Sequence, residues 1–76
     1  MSYGYSKRLV QLNNKADQSL LGVRLGRVCI EYDVPVSVIA AKIGVSRQTV
    51  YNWFCGASVP RAQREVQDFI DSYAAD

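Results

Sequence analysis

The sequence predicts an all-α fold, a compact bundle of four or five helices, and three observations carry that prediction. Apolar residues recur three and four positions apart in successive windows, the mark of helices that each bury one face. Residues that start or stop helices punctuate those windows, namely Asp33 and Pro35, then Gly44 and Ser46, then Cys55 and Gly56. The chain has 76 residues of which 49% are apolar, enough for one small core and no second domain.

The elements follow in order. Tyr5, Leu9 and Leu12 have helical spacing, so the N-terminal arm of residues 1–17 is expected to hold a short helix. The domain proper is expected to span 18–76. Asp17 is a candidate N-cap, after which Leu21, Leu25, Val28, Cys29 and Tyr32 line one helical face. Gly22 and Gly26 weaken that helix, and Val28, Ile30 and Val34 have strand propensity. Asp33 ends it, and Pro35 suits the first turn of the next helix because its missing N–H would have no partner there. That helix turns Ile39, Ala40 and Ile43 inward and stops at Gly44, which can adopt positive φ. Ser46 caps a further helix carrying Val50 and Trp53 inward, closed by Cys55 and Gly56. A last helix is expected from near Ser58 or Pro60, with Val66, Phe69, Ile70 and Tyr73 as its apolar stripe. That stripe reads as core, with a dimer contact as the alternative.

Composition narrows the function classes. The chain has no histidine, and its two cysteines, Cys29 and Cys55, have no CxxC spacing, so neither a His-based triad nor a common metal site is expected. The reading is a non-enzyme without cofactor. No run approaches the roughly 18 apolar residues of a membrane span, and Met1–Lys7 lacks the pattern of a secretory signal, so an intracellular site is expected. Net charge is only +2, but it is segregated: residues 1–64 carry nine Lys and Arg against three acids, whereas residues 65–76 carry four acids and no Lys or Arg.

The informative stretch is Val36 to Gly56. Two short helices joined through Gly44 match the helix-turn-helix geometry, in which the second helix lies in the major groove of DNA. Ala40 is small where the helices cross, Gly44 permits the turn, and Val45, Val50 and Trp53 bury the back of the second helix. The opposite face carries Arg47, Gln48, Thr49, Tyr51 and Asn52. Arg can bridge guanine O6 and N7, and Gln or Asn can bridge adenine N6 and N7. A merely solvated face is the competing explanation, and the spacing from Ala40 to Gly56 favours DNA reading.

The run from Ile39 to Trp53 (IAAKIGVSRQTVYNW) resembles the Cro/C1 (Xre-like) helix-turn-helix family of phage repressors, over about residues 20–73. The resemblance implies an all-helical domain, commonly of five helices, that binds a double-stranded DNA operator as a homodimer and regulates transcription. By position it implies base contacts by Arg47, Gln48 and Asn52, with Thr49 and Tyr51 contacting bases or phosphate. Val36 and Ser37 fall where the family's backbone N–H meets a phosphate. Arg61 falls where the family places a phosphate or minor-groove arginine, and Ser46 and Lys42 complete the expected phosphate contacts.

The sequence departs from the family in three places. Many members pair an Arg in the first helix with a Glu after the Trp53 position, and here those positions hold Cys29 and Phe54. An apolar contact can replace such a pair, because a desolvated ion pair is often no more stabilising than packed apolar groups; an exposed Phe54 would instead serve a dimer contact. Only one clear helix follows the motif. The N-terminal arm is extra, and its Lys7, Arg8 and Lys15 read either as contacts to phosphate or the minor groove or as part of a frayed tail.

The expected function is a small Cro-like or autoregulatory repressor, controlled by its abundance and with no small-molecule ligand. The alternatives are a protein-interaction adaptor built on the same fold, a DNA-binding accessory factor such as an excisionase, and a detached domain of a nucleic-acid enzyme.

Overall fold

The computed structural model describes residues 5–74, apart from the Ala74 side chain, and shows an all-helical globule with Cα extents of 28 × 27 × 23 Å. Its helices are α1 (Lys7–Lys15), α2 (Leu21–Glu31), α3 (Val36–Ile43), α4 (Arg47–Phe54) and α5 (Gln63–Ala74). Met1–Gly4 of the expected arm, and Asp76 of the acidic end, lie outside the described residues.

One device ends three successive helices. Asp33, Gly44 and Gly56 each take positive φ (57°, 86° and 79°), and the N–H just beyond each reaches back to a carbonyl five residues earlier. The bonds are Val34 to Cys29 (2.8 Å), Val45 to Ala40 (3.0 Å) and Ala57 to Asn52 (2.9 Å). A left-handed residue lets the last turn satisfy carbonyls that the helix leaves without partners. Glycine does so without a Cβ penalty, and aspartate is among the few other residues that tolerate it.

The helix starts divide. Ser6 and Ser46 accept from the N–H of Leu9 and Thr49, so α1 and α4 have side-chain caps. Asp17 does not cap α2 as expected; it accepts from the N–H and hydroxyl of Ser19, which closes a turn ahead of the helix and holds its carboxyl below the usual range. The cap position is Leu20. Pro35 likewise occupies the cap of α3 rather than its first helical residue, with an extended ψ of 145°. The last helix begins at Gln63, beyond the expected Ser58 or Pro60, because Pro60 packs as a fully buried loop residue.

The core is centred on α2, which packs on α4 and α5. Val23, Leu25 and Cys29 of α2, Val50 and Phe54 of α4 and Val66 of α5 are wholly excluded from solvent, with Ile39, Trp53, Phe69 and Ile70 nearly so. Burial of this kind, at about 25 cal/mol per Å² of apolar surface, is the main favourable term. The glycines that weaken α2 as an isolated helix serve its packing. A Cβ on Gly22 would stand 2.7 Å from Trp53 Cβ, and one on Gly26 would stand 2.9 Å from Phe54 Cγ. Positions 22 and 26 share a face, so their bare backbone lets α4 lie directly against α2.

The arm from Tyr5 onward is built into this body. Tyr5 is buried with its ring tilted against Phe54, and its hydroxyl donates to the Val34 carbonyl. Burial pushes the Cys29 thiol up to about 12 and the Tyr5 hydroxyl well above its ordinary range. Leu12 is 42% exposed, and the fully buried position of α1 is the polar Asn13. Its Nδ2 donates to the carbonyls of Val23 (3.1 Å) and Phe54 (2.8 Å). Cys29 and Phe54 are both core residues, so Phe54 packs inward.

Candidate nucleic-acid interface

The face of α4 follows from which side is buried. Val50, Trp53 and Phe54 point into the core, and at 100° per residue this puts Gln48 and Asn52 at the middle of the opposite side. Arg47 and Gln48 are exposed, while Thr49, Tyr51 and Asn52 are half-buried. Gln48 Nε2 donates to Asn52 Oδ1 at 3.1 Å. The two amides are therefore a coupled unit that keeps a free acceptor on Gln48 and free N–H groups on Asn52. Ser46 fixes the start of the helix, accepting from Thr49 N–H at 3.2 Å and lying 2.9 Å from the Thr49 hydroxyl. Its hydroxyl is thus engaged within the chain.

Two flanks border that central pair. On one, Tyr51 and Arg47 share a shallow hollow of about 180 Å³ with Pro35, Val36 and Ser37, so the first turn of α3 meets the first turn of α4. The Val36 side chain is buried and Ser37 is exposed. What this turn offers is the Ser37 hydroxyl and the backbone N–H groups of Val36 and Ser37, which a first turn leaves without intrahelical partners, the Val38 N–H being taken by the Pro35 carbonyl. On the other flank, Thr49 lines a hollow of about 290 Å³ with Ile43, Val45, Trp53, Val59 and Arg61. Arg61 is exposed.

Lys42 is placed elsewhere. Its ammonium stands 5.8 Å from the centre of the Phe69 ring, in a hollow lined also by Glu65, Asp68 and Ser72 of α5. The structure therefore groups Arg47, Gln48, Thr49, Tyr51, Asn52, Val36, Ser37, Ser46 and Arg61 around α4, and gives Lys42 to the acidic helix. Helices α1, α3 and α4 have no acid in their first turns, whereas Glu65, Asp68 and Asp71 are exposed on α5.

Sequence reasoning left Arg8 as one of three arm cations without a location. It lies, exposed, in a hollow of about 380 Å³ lined also by Ser6, Leu9, Leu12 and Tyr51. The signal was the Tyr5 and Leu9 spacing, which implied a helix but not its docking site.

Among the described residues no group of three His, Cys, Asp or Glu is placed to hold a metal ion, and no helix is long and apolar enough to cross a membrane. Comparison with protein-family models, with curated proteins and with solved structures finds no match for the chain.

Proposed function

We propose that this chain is a sequence-specific double-stranded DNA-binding transcriptional regulator, a small Cro-like repressor that lays α4 in the major groove. The observation that carries the reading is the coupled Gln48–Asn52 pair at the centre of the exposed face of α4, bordered by Arg47 and the start of α3 on one flank and by Arg61 on the other. An acceptor on Gln48 beside donors on Asn52 complements the N6 amino group and N7 of adenine, and Arg47, at the tip of the helix, complements guanine O6 and N7. Thr49 and Tyr51, on the two flanks, contact the bases or phosphates that border these. Ser37 and the N–H groups of the first turn of α3 take a phosphate, as helix N-termini do, and Arg61 takes one across the groove. Ser46 acts through the cap it gives α4, and Lys42 stays outside the contact. Here α3, Gly44–Ser46 and α4 form the helix-turn-helix.

One such helix reads few base pairs, so the working species is a homodimer on a palindrome with half-sites about 34 Å apart. Bodies with Cα extents up to 28 Å fit side by side at that spacing once side chains are added.

Titration of the wild type, Arg47→Ala and Arg61→Ala against the preferred duplex and a scrambled duplex tests the division of roles. Arg47→Ala costs about 1–3 kcal/mol on the preferred duplex and little on the scrambled one, whereas Arg61→Ala weakens both alike. Equal losses for both variants on every duplex contradict the assignment, and no binding by the wild type to any duplex favours the adaptor reading.

A further inference from the structure

We infer that α1 is a second DNA-contacting element, in which Arg8 holds the sugar-phosphate backbone of the strand that passes the Tyr51 flank of α4. The inference rests on the DNA-binding reading above and adds to it a part of the chain that the helix-turn-helix does not include.

Tyr51 carries the argument, because it lines two hollows at once. One is the hollow at the start of α3 with Ser37 and Arg47, and the other is the hollow at the start of α1 with Ser6 and Arg8. A continuous surface therefore runs from Arg47 over Tyr51 to Arg8, and among the described residues neither hollow is lined by an acid. Its chemistry is that of a backbone-binding strip: arginine at each end, hydroxyls on Ser37, Ser6 and Tyr51 between them, and the apolar surface of Leu9 and Leu12 for sugar carbons. Arginine and hydroxyl groups are among those that contact phosphate and sugar in protein–DNA complexes.

The position of Arg8 is also fixed. Tyr5, three residues before it, is buried against Phe54 and bonded to the Val34 carbonyl. Asn13, five residues after it, is bonded to Val23 and Phe54. Both ends of the segment are thus tied to α4 and its neighbours, so Arg8 keeps its place relative to the reading helix and little ordering entropy is lost when a strand arrives. Lys15, at the other end of α1, lines neither of the two hollows that Tyr51 shares.

The test compares two substitutions that each remove one positive charge with one that keeps it. Arg8→Gln, Arg8→Lys and Lys15→Gln in the full chain are titrated against the preferred duplex and a scrambled one over a series of salt concentrations, with thermal unfolding as the control for folding. Arg8→Gln is expected to weaken both duplexes several-fold and to reduce the slope of log K against log salt by about 0.9, the value of one phosphate contact. Arg8→Lys is expected to keep the slope, and Lys15→Gln to keep both slope and affinity within twofold. Equal effects of Arg8→Gln and Lys15→Gln overturn the inference while leaving the role of α4 intact. Failure of the wild type to bind any duplex overturns the DNA-binding reading itself, and this inference with it.

Discussion

Asn13 and Phe54 lie 41 residues apart, yet the Asn13 side chain donates a 2.8 Å hydrogen bond to the Phe54 carbonyl. That bond completes the end of α4. Its last four carbonyls are taken by Cys55 N–H (on Tyr51), Ala57 N–H (on Asn52), Gly56 N–H (on Trp53) and Asn13 Nδ2 (on Phe54). A helix end buried against its neighbours requires such partners, and here one comes from the N-terminal helix.

Removing that amide should destabilise the fold. Asn13→Ala leaves a buried carbonyl without its donor and is expected to cost about 2 kcal/mol, which for a domain this small lowers the Tm by roughly 10 °C. Asn13→Asp is expected to cost more, since it sets a carboxylate against two carbonyls in a dry site. Thermal unfolding by circular dichroism checks the order; an Asp variant as stable as the Ala variant would contradict it.

Alanine at Gly22 or Gly26 should also destabilise, against the usual trend. In an exposed helix the change gains about 1 kcal/mol. At Gly22 the new methyl meets Trp53 Cβ at 2.7 Å and the Trp53 carbonyl oxygen at 2.8 Å, which only a shift of α4 can relieve. Overpacking costs about 1–3 kcal/mol and decides the sign. Denaturant titration of Gly22→Ala should show a lower midpoint, and because α4 moves, DNA affinity should fall as well.

The buried thiol and phenol make stability depend on alkaline pH. In the unfolded chain Cys29 loses its proton near pH 9, while in the folded state it holds it up to about 12. Above pH 9 the unfolded state binds fewer protons than the folded one, so stability falls as pH rises. Tyr5, also raised by burial, adds a second contribution above about pH 10. Stability is expected to be flat in this respect below pH 8 and to drop through pH 9–12. Cys29→Ala should remove the earlier part of that drop and leave the later one, as measured by denaturant unfolding at stepped pH.

Much of this architecture is legible in the sequence because it rests on local chemistry. Ser46, Gly44 and Gly56 announce the bounds of α3 and α4 through capping and positive φ, and the Val66, Phe69, Ile70 and Tyr73 stripe announces the buried side of α5. What the sequence hides are relationships between segments. Gly22 and Gly26 read locally as helix-weakening residues, and their purpose appears only once Trp53 and Phe54 lie against them. Nothing near Asn13 in the sequence reveals that its amide meets a carbonyl 41 positions on. Arg8 and Lys42 are legible as cations, but tertiary packing places one beside Tyr51 and the other over Phe69. Asp17 and Pro60 mislead for a related reason: each has the right chemistry for a helix start, and each is engaged by a turn or by the core instead.

Selection of duplexes from a randomised pool by the purified protein, with sequencing of the bound fraction and a parallel selection with Arg47→Ala, tests the central claim most directly. The account predicts a palindromic motif with half-sites about one helical turn apart, containing positions whose preference is lost in the Arg47→Ala selection. A bound fraction no richer in any motif than the input pool would contradict it.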